Sequence, residues 1–190
     1  VNPEKYFEIT EDGVLKKYTG KASKVVIPDG VTKIGEDVFN AFINSSCCKL
    51  IKRIDIPESV TSIGAKAFYD CSNLESIVIP KGVTEIGAKA FYNCSNLESI
   101  VIPKGVTEID DWAFCDCTSL ESIVIPDGVN EIGEHAFEHC WHLVSIVIPD
   151  SVNKIGDYAF RECTSLESIV ISDSVTEIGD FAFSGCKKLK

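Results

Sequence analysis

Ile77-Val78-Ile79-Pro80-Lys81-Gly82-Val83-Thr84-Glu85-Ile86-Gly87-Ala88-Lys89-Ala90-Phe91-Tyr92-Asn93-Cys94-Ser95-Asn96-Leu97-Glu98-Ser99 is one turn of a pattern that returns every 23 residues. Ile54, Ile100, Ile123, Ile146 and Ile169 open further copies, and an earlier one begins at Val25-Val26-Ile27-Pro28. In that first copy Phe39 and Cys48 are nine positions apart where Phe68 and Cys71 are three, so six residues are inserted around 40–46. A unit this short cannot enclose its own apolar side chains and must shield them against copies of itself. The period therefore predicts an α/β repeat solenoid over 25–190, with about seven repeats. Within one unit Ile77 and Ile79 alternate with Val78, the spacing of a short strand that Pro80 terminates, because proline cannot donate a ladder hydrogen bond. Val83-Thr84-Glu85-Ile86 alternates again and predicts a second strand, closed by Gly87, where the backbone is expected to need glycine's conformational freedom. Ala90, Phe91 and Cys94 sit at helical offsets, so short helical turns are predicted across 88–94.

Composition agrees with a folded chain: 45% of the 190 residues are hydrophobic, enough for a substantial core. The 18 Lys and Arg against 29 Asp and Glu leave a net charge of −11, which repels phosphate backbones and anionic bilayers. No nucleic-acid partner is expected. No apolar run approaches the roughly 18 residues of a membrane-crossing helix, so no direct membrane insertion is expected either. The chain opens at Val1 without a signal-peptide core and contains no Met, which reads as a mature or trimmed segment. Residues 1–24 read as a hairpin cap, with Phe7-Glu8-Ile9-Thr10 and Val14-Leu15-Lys16-Lys17-Tyr18 flanking a turn at Asp12-Gly13. The last repeat stops at Lys190 without a comparable cap. Either Lys187, Lys188 and Lys190 blunt that edge by charge or the natural protein continues past it; continuation is the expectation, and oligomerisation through the edge stays open.

Stacking turns each repeat position into a ladder of like side chains about 4.8 Å apart. Phe39, Phe68, Phe91, Phe114, Phe137, Phe160 and Phe183 form a predicted aromatic spine, where cutting a middle member to Ala costs roughly 3 to 5 kcal/mol. Cys48, Cys71, Cys94, Cys117, Cys140, Cys163 and Cys186 occupy another inward ladder and read as free thiols, although adjacent rungs approach the Cα spacing of a disulfide. Cys47 and Cys115 fall outside that ladder and are the expected reactive thiols.

If the isoleucines of each first strand face inward, Val78, Val101, Val124, Val147 and Val170 face outward as an apolar stripe. Ser76, Ser99, Ser122, Ser145 and Ser168 run beside it. Along its rim Lys81 and Lys104 give way to Asp127, Asp150 and Asp173. This surface is the candidate binding face, weighed against the plainer fact that valine suits any exposed strand. His135, His139 and His142 cluster among Glu134, Glu138 and Trp141; His135 and His139 have the spacing of two ligands on one helical face, and Glu138 would complete a zinc set. A solvated face is the preferred reading, so no metal and no cofactor are expected. Trp112 and Trp141 are expected on a common outer layer, as packing. Catalytic signatures such as G-x-S-x-G, G-x-x-x-x-G-K-[ST] and G-x-G-x-x-G are absent from the sequence.

The pattern C-x-x-L-x-x-I-x-I-P, seen at Cys71 to Pro80, followed by I-G-x-x-A-F at Ile86 to Phe91, resembles the BspA-like leucine-rich repeat of bacterial and some protist surface proteins. The resemblance covers roughly residues 25–190. It implies a right-handed leucine-rich-repeat superhelix with a parallel sheet on one face, an extracellular or cell-surface location, and a role in adhesion or protein binding. The expectation is a non-enzymatic module that presents a concave sheet to a protein of a host, a matrix or a neighbouring cell. A structural stalk for another domain is the alternative, and a metal-dependent hydrolase centred on His135 and His139 is the least favoured.

Overall fold

Each coil lays down a three-residue strand, a two-residue strand and then a ribbon of turns, so the stack has three sides. In this computed structural model, which describes residues 3–190, the first side comprises β3 (Lys24–Val26), β5 (Arg53–Asp55), β7 (Ser76–Val78), β9 (Ser99–Val101), β11 (Ser122–Val124), β13 (Ser145–Val147) and β15 (Ser168–Val170). The second comprises β4 (Lys33–Ile34), β6 (Ser62–Ile63), β8 (Glu85–Ile86), β10 (Glu108–Ile109), β12 (Glu131–Ile132), β14 (Lys154–Ile155) and β16 (Glu177–Ile178). Paired strands run parallel with repeat positions in register, Ile123 beside Ile100 and Ile132 beside Ile109. The molecule is thus a parallel β-solenoid of about seven turns, each of about 23 residues. Before it, β1 (Phe7–Ile9) and β2 (Val14–Tyr18) form an antiparallel hairpin, and β2 pairs in parallel with β4.

The third side corrects the expectation of helical turns. Residues 88–94 are consecutive turns, and the sole α-helix among the described residues is α1 (Ser45–Cys48), inside the insertion. Lys89 and Asn93 adopt left-handed φ values of 58° and 55°, as do their counterparts Lys66 and Asp70, Trp112 and Asp116, and His135 and His139. Two such residues per turn stop any i→i−4 ladder from forming. Alternate amides close local turns, Ala90 N–H on Gly87 O and Tyr92 N–H on Lys89 O. Those between donate to the following rung: Lys89 to Asp111 O, Phe91 to Ala113 O and Asn93 to Cys115 O. From Lys89 to Cys94 every amide is used, half of them along the stack.

Gly87 also serves a purpose other than the expected one, since its φ is not left-handed. A Cβ there would lie 2.7 Å from the Ala65 amide nitrogen of the preceding rung. Its hydrogen atom allows the close approach in which Gly87 N–H reaches Ile63 O at 2.9 Å. Inside, the phenylalanine rings stack nearly parallel at 5.1 to 5.5 Å from Phe39 to Phe183, and Tyr18 and Phe7 extend the column into the hairpin. The ladder cysteines are free, and each thiol from Cys71 onward donates to a phenylalanine carbonyl one rung back, as Cys94 does to Phe68 O at 3.3 Å.

Candidate functional site

The first side carries the candidate face. Register fixes its chemistry: Ile77, Ile100, Ile123 and Ile146 point inward and are buried, so their neighbours point out. Val78, Val101, Val124, Val147 and Val170 are 61% to 75% exposed. Ser76, Ser99, Ser122, Ser145 and Ser168 are exposed beside them. Five strands at about 4.8 Å make an apolar stripe roughly 20 Å long. An open depression of about 790 Å³ lies along its C-terminal half, lined by residues of β11, β13 and β15 together with Asp127, Asp150 and Ser172. The rim changes sign as its residues suggest, with Lys81 and Lys104 exposed at one end and Asp127, Asp150 and Asp173 at the other.

The stripe has a boundary that its periodicity does not reveal. Asp55 pairs in register with Val78 and stands where a valine would continue the stripe. Arg53 at 2.8 Å and Lys24 at 3.0 Å hold its carboxylate, and their hydrogen bonds keep it below the usual carboxylate range. One comparison of β5 with its neighbours, Arg53-Ile54-Asp55 against Ser76-Ile77-Val78, contains that signal. Sequence reasoning located the insertion but not its apolar tip, where Phe42 and Ile43 are strongly exposed. It is held from below by buried Asn40, whose side-chain oxygen accepts from the amides of Phe42 at 2.9 Å and Ile43 at 3.3 Å.

The turn side overturns three expectations. Cys47 and Cys115 are both buried, and desolvation together with the Asp116 and Glu138 carboxylates pushes the Cys115 thiol strongly upward, away from the reactivity expected of it. His135 and His139 share no helical face. His135 stacks between Trp112 at 3.8 Å and Tyr158 at 4.8 Å, with its Nδ1 2.6 Å from Glu138 Oε2, whereas the Nδ1 of His139 faces Asp116 Oδ1 at 2.8 Å. Trp112 and Trp141 lie on different ladders: Trp112 continues a ring column from Tyr69 and Tyr92, and Trp141 is half-exposed beside His139. The His142 Nδ1 lies against Thr118 O. Among the described residues no helix is long and apolar enough to cross a membrane.

Stacked parallel strands, an apolar outer face and phenylalanine and cysteine columns define a repeat protein of the leucine-rich class. The model of the BspA type leucine rich repeat region matches in six copies, over residues 12–140, 41–166 and 84–190. The chain belongs to that family. A leucine-rich repeat protein of T. pallidum has a similar solved structure, with TM-score 0.90 and 33% identity, over 100% of this chain and 90% of that one. A leucine rich cell surface protein of Faecalibacterium prausnitzii gives TM-score 0.84 and 36% identity, over 97% of this chain and 51% of that one. A leucine-rich repeat protein of Bacteroides ovatus gives 0.69 and 32%, over 94% and 55%. The chain therefore spans about half the length of the latter two. No curated protein sequence matches it.

Proposed function

We propose that the protein is a non-enzymatic binding module that uses the first side of the solenoid to hold another protein at a cell surface. The observation that carries this reading is the stripe of five valines, all more than half exposed and bordered by serines, over an otherwise buried aliphatic core. Exposed apolar surface on this scale marks contacts more often than solvent faces. The rim gradient from lysine to aspartate gives a partner a direction of docking, since a ligand with the opposite polarity docks one way round. The family and the F. prausnitzii relative, which is itself described as a cell surface protein, support placement at a surface. The matched family is a repeat family and brings no catalytic function with it.

The test is capture of proteins from extracts of host tissue, matrix or neighbouring cells by the immobilised chain, repeated with Val124→Glu and Val147→Glu. Both residues point to solvent, so the expected outcome is loss of the captured protein with a thermal midpoint within about 2 °C of the parent, as for a surface change of under ~0.5 kcal/mol. Equal capture by parent and variants removes this face from the function. No capture by the parent chain would leave the stalk reading, because rungs that only space other parts of a longer protein need no exposed ligand surface.

A further inference from the structure

On the turn side, residues of successive rungs lie next to one another in register, with Asp116 N–H bonded to Glu138 O and His139 N–H to Arg161 O, both at 2.9 Å. Asp116 and His139 share a left-handed φ of 59° and so project their side chains alike. Two rungs earlier the same ladder holds Asp70 and Asn93, an amide donating to a carboxylate at 2.6 Å. At the junction of 100–122 with 123–145 the amide is replaced by the His139 imidazole, and the adjoining tyrosine, Tyr69 or Tyr92 elsewhere, by Cys115. A thiol, a carboxylate and an imidazole consequently meet, with one donor atom from each lying within 4.8 Å of the others.

Their spacing is close to that of a tetrahedral metal shell. Cys115 Sγ lies 3.7 Å from Asp116 Oδ2, and His139 Nδ1 lies 2.8 Å from Asp116 Oδ1. Around zinc, bonds of about 2.3 Å to sulfur and about 2.0 Å to nitrogen and oxygen place S and O about 3.5 Å apart and N and O about 3.3 Å apart. The two contacts fall on different oxygens of Asp116, so turning that carboxylate and drawing Sγ and Nδ1 together would join the three donors to one ion. The surroundings supply the outer support such sites use. Buried Glu138 has Oε1 3.8 Å from His139 Nε2 and Oε2 4.0 Å from Cys115 Sγ. Its own position is fixed by His135 at 2.6 Å and Arg161 at 3.0 Å. In the metal-free chain Asp116 faces Nδ1 at 2.8 Å, and the Glu138 carboxylate, 3.8 Å from Nε2, stands where it can receive the imidazole proton once Nδ1 ligates.

We propose that Cys115, Asp116 and His139 form a zinc-class metal site that bridges two rungs, with a fourth position open to solvent or to a partner's donor. On binding, Cys115 releases its thiol proton to solvent, and the imidazole proton moves from Nδ1 to Nε2. Nothing is oxidised. The thiolate and one carboxylate balance the charge of a divalent ion, and sulfur with imidazole selects zinc, cobalt or copper over magnesium and calcium. The site lies on a different side from the valine stripe, so its success or failure leaves the proposed binding function untouched.

Titration of the reduced full chain with Co(II) tests it. The expected result is one equivalent per chain, a thiolate-to-cobalt charge-transfer band in the near ultraviolet, release of about one proton per ion, and displacement by Zn(II). Cys115→Ser removes the band. Asp116→Asn and His139→Asn weaken binding by about tenfold or more. Both asparagines fit the fold, because Asn93 occupies the same ladder position at φ 55°. Cys47→Ser and His142→Asn leave the titration unchanged. Absence of the band in the folded parent overturns the proposal. So does a band that persists in Cys115→Ser or moves with His142→Asn, which would reduce the Asp116–His139 contact to a ladder bond like that of Asp70 and Asn93.

Discussion

Cysteine shows how strongly the position of a residue overrides its identity. Nine thiols in 190 residues suggest redox chemistry, yet the ladder places the six from Cys48 to Cys163 in the core. Burial pushes Cys117 up to about 12 and also strongly raises Cys71, Cys94 and Cys140, so at neutral pH these are small apolar groups that donate to phenylalanine carbonyls. Cys186 differs. It is half-buried, and its interaction with Cys163 lowers its thiol below the ordinary value. Because the thiolate is the nucleophile, alkylation of the folded chain at about pH 8 is expected to modify Cys186 first and the others only on unfolding, as peptide mapping after a timed pulse will show. Early modification of Cys115 would mean that the turn side opens far more readily than its hydrogen bonds indicate. The seven ladder cysteines were legible from spacing alone. The burial of Cys115 was not, because alternation along a strand says nothing of a ribbon in which left-handed residues four positions apart re-aim the side chains.

At the level of the element, hydrophobic period identified both strands of each rung but misread the turn ribbon. Ala90, Phe91 and Cys94 do share an inward direction, and one turn of helix produces that direction as well as two linked turns do. The usable signal was Asp70, Asn93 and Asp116 at one ladder position with Gly185 at its end, residue types that tolerate left-handed φ. Glycine at the end of each second strand was legible as a requirement, though its cause is the neighbouring backbone. A Cβ on Gly156 would lie 2.7 Å from Glu134 N, and the Gly156 amide donates to Ile132 O at 2.7 Å. Gly156→Ala is therefore expected to force two rungs apart and to lower stability by about 1 to 3 kcal/mol, read as a shift in the urea midpoint. Gly82→Ala is the control: its nearest backbone neighbours lie at 3.8 Å, and it should change stability by less than about 0.5 kcal/mol. Equal effects at the two positions would show that close approach of the neighbouring rung at Gly156 is not the cause of the loss.

Asp110 occupies that same glycine position, and its consequence extends over the whole molecule. Gly87, Gly133 and Gly156 each donate to the isoleucine carbonyl one rung back, but the corresponding bond from Asp110 to Ile86 is missing. With a side chain in the gap, β8 and β10 do not pair, and β7 and β9 are unpaired at the same junction. Rungs 77–99 and 100–122 are thus held by the phenylalanine column, by the ribbon bonds from Lys89, Phe91 and Asn93, and by the bonds of Cys117, Thr118 and Glu121 to Phe91 O, Ser95 O and Glu98 O, with neither β7–β9 nor β8–β10 paired. At the junction between β11 and β13 the first ladder also lapses, but β10 and β12 remain paired. In a solenoid each turn contacts only its neighbours, so stability is a sum of rung and junction terms, and the weakest junction is where cooperativity divides. Native-state hydrogen exchange is expected to resolve two units that meet near residues 99 and 100, each with its own opening free energy. Gly156→Ala should then lower protection on the C-terminal side alone. Asp110→Gly admits the missing bond and should merge the two units into one. A single opening free energy from β3 to β16 in the parent would show that the aromatic column and the turn-side bonds couple the rungs as strongly as two strand ladders do.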